Sequence, residues 1–275
     1  MGDPLMYENY FADHVDAVQR LADAGIAPPK AWSELLRRYE QFAEMTPGGC
    51  GERIVDAVLT GKQTADLPMQ YVLAIAEADA TPPAIAAVRN RVQAAVLVQL
   101  RGAYASAAAA NYTKSAALFN AASTTFTASA EAVNVEAVAE EVLDTHDEQR
   151  QAWAAAPVQA RELDQLLEVL ALAAELAGHP IVNDAQFSLV VDDTGVPRRE
   201  AWQAWDTNAG RCGRWAALLA VGCQLRAHPD LNTFAPDPRP APMEERWHAT
   251  GRGQFTRELV DPEEEGAYSN PIRTL

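Results

Sequence analysis

The loop Pro47-Gly48-Gly49-Cys50-Gly51 is the first place in this sequence where residue type and spacing could do chemistry. It precedes an expected helix, where free N–H groups favour an anion and lower a thiol's pKa. Such a loop could cradle a phosphate or present a reactive Cys50. The Lys-Ser/Thr pair of a P-loop is missing and no strand leads in, so a plain turn between helices is the better reading. Glu140, Glu141, Asp144, His146, Asp147 and Glu148 gather carboxylates around one imidazole. A di-iron centre in a helical bundle needs Glu-x-x-His on two inward-facing helices. Here Leu143 and Asp144 occupy the positions where those histidines would stand, and a solvated helix end is expected. Asp13, His14 and Asp16 are too local to fix a metal.

Cys212 and Cys223 are eleven residues apart with no CxxC or His-x-His companion. On one helix they stand about three turns apart, beyond disulfide reach, so buried thiols are expected. His228, Asp230, His248, Arg246 and Arg252 could converge with Ser188 or Cys212 on a nucleophilic site, but nothing in their spacing orders them. Trp202 and Trp205, with Arg198, Arg199, Arg211 and Arg214, form the one locally basic and aromatic patch. Stacking on a single-stranded nucleic acid is one use of such a patch. Packing within the chain, or binding an acidic segment of a neighbouring subunit, fits better. No catalytic residue, cofactor or metal is therefore expected.

The elements that must position these residues are dominated by alanine, 54 of 275 residues. Alanine has the best helix propensity and little area to bury, so a helix-rich, closely packed body with few large anchors is expected. The net charge of −16 argues against nucleic acid, because phosphate contact needs basic groups. Ten acids against two arginines between Glu131 and Glu168 read as a solvated face, with a basic partner as the alternative. Three cysteines fit a reducing compartment. Met1 to Phe11 lacks a basic start and an apolar core, so no signal peptide is expected, and no apolar run reaches the ~18 residues of a membrane span.

Asp3-Pro4 opens a helix whose Phe11, Val15, Val18 and Leu21 recur at spacings of four and three, ending at Gly25. Pro28-Pro29 starts a second, with Trp32, Leu35, Leu36, Tyr39 and Phe42 on one stripe. A third runs from about Glu52 to Thr60, and Pro68 opens a fourth. Between Ala84 and about Leu143 there is no proline and only Gly102, which allows one very long helix or two with a break near Ser123–Thr127. Leu163, Leu166, Leu167 and Leu170 mark an amphipathic helix after Pro157. Phe187–Val191 reads as a strand and Asp192–Gly195 as a turn, a small hairpin near 187–197. A last helix spans about Arg211 to Arg226. From His228 onward seven prolines and no periodicity predict an extended arm, whose Phe234, Met243, Trp247, Phe255, Leu259 and Tyr268 should lie on a surface, its own or a neighbour's.

The fold class is thus mainly α: an antiparallel bundle with one or two very long helices, a small hairpin and an extended C-terminal arm. Four regions follow: a small bundle at 1–66, a long-helix body at 67–180, hairpin plus helix at 181–227, and the Pro-rich arm at 228–275. At class level this layout resembles structural or assembly proteins of tailed phages with actinobacterial hosts. The features that carry the likeness are 19 arginines against three lysines, Ala-rich helices such as Ala105–Ala110, the closing arm and the missing catalytic motif. The likeness covers the layout and transfers no functional residue. It implies a non-enzymatic structural or adaptor protein in a virion or host cytoplasm, with copies of itself and other subunits as partners. Trp202, Trp205, Arg211, Arg214, Phe234, Trp247, Phe255 and Tyr268 are the expected partner-binding residues. A helical enzyme or small-ligand protein with a site drawn from distant residues is the alternative. A regulator with a basic or nucleic-acid partner is the third.

Overall fold

The computed structural model describes residues 4–45, 49–60, 66–78, 81–182, 184–251 and 254–262, with the backbone alone at 4–9, 50–51, 57–58, 67, 248–251, 254–256 and 258. The described residues are mainly helical, with two small antiparallel strand pairs. The chain divides into two compact units, Met1–Asn111 and Tyr112–Leu275.

The first unit holds α1 (Pro4–Asp23), α2 (Lys30–Ala43), α3 (Cys50–Thr60), α4 (Leu67–Ala78) and the opening turns of α5 (Pro82–Ala132). On α1 the buried positions are Phe11, His14, Val18 and Leu21, so His14 takes the inward place that the pattern gives to Val15. Gly25, at φ 87°, ends the helix, with Gly25 and Ile26 N–H groups returning to the carbonyls of Ala22 and Leu21. Trp32 is the buried anchor of α2, and Tyr39 meets Phe11 at 4.7 Å between ring centroids. From α5, Leu97, Leu100, Tyr104 and Ala108 supply the inward stripe at spacings of three and four.

α5 is one helix of 51 residues with no break at Ser123–Thr127, but it ends at Ala132, and the expected stretch to Leu143 goes on through a turn into a separate short helix at Ala139–Val142. Its polar β-branched run causes no break because the hydroxyls bond back to the helix. Ser123 and Thr124 donate to Asn120 O, and Thr125 to Ala121 O.

The second unit continues with α6 (Ala139–Val142), α7 (Asp147–Leu176), α8 (Ala185–Val190), β1 (Val191–Asp192), α9 (Arg198–Trp205), α10 (Gly213–Ala220), β2 (Gln224–Leu225), β3 (Glu244–Gly251) and β4 (Gln254–Val260). Two expectations need correction. The hairpin expected near 187–197 is not formed: 185–190 is helical, and β1 pairs instead with β2, Val191 opposite Leu225. Phe187, Leu189 and Val190 are all buried, and a short apolar run enclosed on all sides does not alternate between two faces. The arm is not wholly irregular either, since β3 and β4 form an antiparallel hairpin within it. A third difference lies in α7, which starts ten residues before Pro157 and keeps that proline inside. Among the described residues no single helix is long and apolar enough to cross a membrane.

Candidate functional site

The densest polar constellation is built on Glu136, Trp153 and Arg211, all in the second unit. Pro157 has no N–H, so the helix leaves the carbonyl of Trp153 without its usual donor. Arg211 supplies one: its Nη2 donates to Trp153 O at 3.1 Å and its Nη1 to Val135 O at 2.8 Å. The guanidinium also lies 3.5 Å from the centre of the Trp153 ring, whose Nε1 donates to Ala137 O. Glu136 accepts the N–H groups of Arg211 and Cys212 at 2.6 and 2.7 Å, placing its charge at the N-terminus of α10. Gly210, at φ 90°, lets the loop come this close, since an added Cβ would overlap the Glu136 carboxylate. These contacts hold the 133–137 turn, α7 and α10 together. They consume the donors that would otherwise receive a ligand.

Beside the clasp, a cleft of about 260 Å³ is bordered by Arg161, Asp164, Asn208, Cys212 and Arg214. Asp164 accepts from Trp215 Nε1 at 3.0 Å and faces Arg214 at 4.0 Å. Burial raises its pKa, an effect that Arg214 and the indole oppose. Burial likewise pushes the Cys212 and Cys223 thiols up to about 11, and both are buried and free. Neither is a nucleophile at neutral pH.

The other chemical groupings come apart. Ser188 Oγ accepts from Asp237 N–H at 2.9 Å, His228 Nδ1 from Asp230 N–H at 3.4 Å, and Arg246 pairs with Glu244 at 3.2 Å. No described bond joins Ser188 or Cys212 to His228, and Arg252 and the His248 side chain lie outside the described residues. Glu140, Glu141, Asp144, His146, Asp147 and Glu148 are all exposed, with His146 capping α7. Asp13 and Asp16 face outward while His14 faces inward. Among the described residues no group of three or more metal-binding side chains converges. Of the 47–51 loop, residues 47 and 48 and the Cys50 side chain lie outside the described residues.

The residues expected to bind a partner fall into two sets. Trp202 and Trp205 turn inward rather than outward: each is 5% exposed or less, both pack on Phe187, and Trp205 meets Trp215 at 90°. Arg214 stacks on Trp205 and Arg211 is held in the clasp. These four build the unit's interior and its seam, because two indoles within four residues of a helix are covered more cheaply by their own chain. Phe234 is half-buried against His228. Trp247 is different. It is 61% exposed on β3, and Leu259 on β4 is 55% exposed. Glu245 stands opposite Leu259 and Trp247 opposite Arg257, so all four side chains share one face of the hairpin. The Phe255 side chain and Tyr268 lie outside the described residues. At the hairpin's base Arg199 binds Asp261 through two donors and Ala241 O at 2.8 Å.

In the first unit, a groove of about 670 Å³ runs between α2 and α5, with Tyr39, Phe42 and Ile85 as apolar walls and Arg89, Asn90 and Gln93 as polar ones. Glu136 and His14 are the residues whose roles the sequence concealed. Glu136 is one acid in a run of ten, and only the glycines of the 207–213 loop hint at its docking point. For His14 the signal that could have found it is the 11-14-18-21 spacing, which Val15 masks because it is the apolar residue of the pair. Comparison with models of protein families, with curated proteins and with solved structures yields no match to this chain.

Proposed function

We propose that this chain is a non-enzymatic structural or adaptor subunit of an oligomeric assembly, with the β3–β4 hairpin as its coupling arm. The observation that carries this reading is Trp247, exposed beside Leu259 on a two-stranded sheet whose outer edges pair with no other described strand. A lone hairpin is marginal in water, and strand edges next to an exposed indole invite an added strand or a receiving pocket. Arg199 fixes the hairpin's root, which suits an element that must be presented to another subunit. The partners are copies of the chain and other subunits. The resemblance of the sequence's layout to tailed-phage structural proteins is the ground for placing that assembly in a virion or its assembly apparatus.

Removing residues 244–275 tests the reading by light scattering and circular dichroism. Oligomer mass should fall while helicity is kept, because the elements described in the deleted segment are the strands β3 and β4. Unchanged oligomer mass would refute the coupling role. A small-ligand protein is the second reading, favoured by the groove of α2 and α5 with its aromatic walls and its arginine. It predicts that Arg89→Ala, exposed at the rim, abolishes ligand-induced thermal stabilisation.

A further inference from the structure

The helical hairpin of α3 and α4 is inside out. On α4 the half-buried positions are Gln70, Ala74 and Glu77, one face at spacings of four and three. Met69, Tyr71, Val72, Leu73 and Ile75 are instead 46 to 63% exposed. On α3, Val55 and Leu59 stand one turn apart and are 59 and 80% exposed. A helix that is apolar around most of its girth belongs in an interior. At about 150 Å² for a large side chain fully open to water, these seven positions leave roughly 600 Å² of apolar surface uncovered. That equals the largest patch an ordinary monomer carries, about 300–600 Å². It also matches the apolar share, about 65%, of the ~800 Å² that one partner contributes to a standard homodimer interface.

We propose that this face docks against the same face of a second copy of the chain, the two hairpins closing a four-helix bundle about a twofold axis. Composition selects that occupant. Transient interfaces are no more apolar than ordinary surface, whereas homodimer interfaces are. A basic partner would need acids across the face; Glu52 and Asp56 stand beside Val55 and Leu59 on α3, but α4, which supplies five of the seven apolar positions, has one acid, Glu77, and it turns inward. Spanning a bilayer would take a helix of ~20 residues, and α4 has 12; lying in its surface would call for basic residues, and α4 has none. Two helices that pack on each other and follow closely in sequence supply the self-complementary half that a four-helix bundle requires. The proposal deepens the assembly reading and rests on it for self-association, but it uses a surface other than the β3–β4 hairpin.

The test uses the full-length chain, its mass followed by light scattering across a dilution series. Wild type should show twice the 29.7 kDa chain mass or a multiple of it. Val72→Glu places a charge in the bundle seam and should weaken the twofold contact at least about a hundredfold, with helicity unchanged because Val72 is exposed in the single chain. Should that variant lose helicity, Met69→Gln with Val72→Thr makes the same point more gently. Trp247→Glu should leave this contact intact. A monomeric wild type, or a Val72→Glu chain of undiminished mass, would overturn the proposal. So would co-flotation of wild type, but not Val72→Glu, with phosphatidylcholine–phosphatidylglycerol vesicles, since lipid would then be the occupant. Loss of mass in Trp247→Glu alone would uphold the coupling arm and sink this interface; loss in Val72→Glu alone would do the reverse.

Discussion

His14 illustrates how one buried side chain sets a pH limit. It is 7% exposed, its Nε2 accepts from Trp32 Nε1 at 3.2 Å, and Tyr104 meets its ring edge-on. Burial, and then Arg101, lower its pKa from 6.5 to about 4. The neutral ring therefore belongs to the folded state. Above about pH 6.5 both states hold it neutral and its contribution is complete. As pH falls toward 4 the unfolded chain takes up a proton that the folded chain refuses, so stability declines through that window. The loss should reach on the order of 2 kcal/mol for the first unit. Denaturant titrations at pH 7, 5.5 and 4 measure it, and His14→Gln, which keeps an acceptor for the indole, should flatten the dependence. An equal acid limb in the variant would assign the effect to carboxylates instead.

At the scale of elements, α7 survives an internal proline because another element repairs it. Arg211 donates to the carbonyl that Pro157 orphans, and also to Val135 O in the preceding turn. Arg211→Ala should cost about 2–3 kcal/mol by stranding both carbonyls. In a Pro157→Ala background the helix supplies its own donor to Trp153, so the cost should shrink by about 1 kcal/mol. A double-mutant cycle in urea reads that coupling, and strict additivity would contradict the repair. The same interplay explains what the sequence revealed and what it hid. Stripes such as Trp32–Leu35–Leu36–Tyr39–Phe42 are local and were legible. Phe187–Val190 was misread because burial on all sides erases the alternation that distinguishes strand from helix, and Val191 of β1 finds its partner 34 residues on at Leu225. The β3–β4 hairpin was hidden by averaging: the prolines of the arm cluster before Met243 and after Val260, and the stretch between them has none.

For the molecule as a whole, charge decides how copies can meet. The division between the two units falls inside the unbroken α5, where no glycine or proline marks it in the sequence. The net charge of −16 is legible at once, and it opposes any contact between identical chains. Both proposed contacts, the apolar face of α3–α4 and the indole-bearing arm, must hold against that repulsion. Salt shortens the screening length from about 10 Å at 0.1 M to about 3 Å at 1 M and leaves apolar burial in place. Self-association should therefore tighten several-fold between about 0.1 and 0.5 M sodium chloride, read as a rising weight-average mass in sedimentation equilibrium. Docking of a cationic partner on the Glu131–Glu168 stretch, at net −8, would respond in the opposite sense. A complex that dissolves as salt rises would show that charge attraction holds it together, and would make this chain an acidic adaptor for a basic partner in place of a self-assembling subunit.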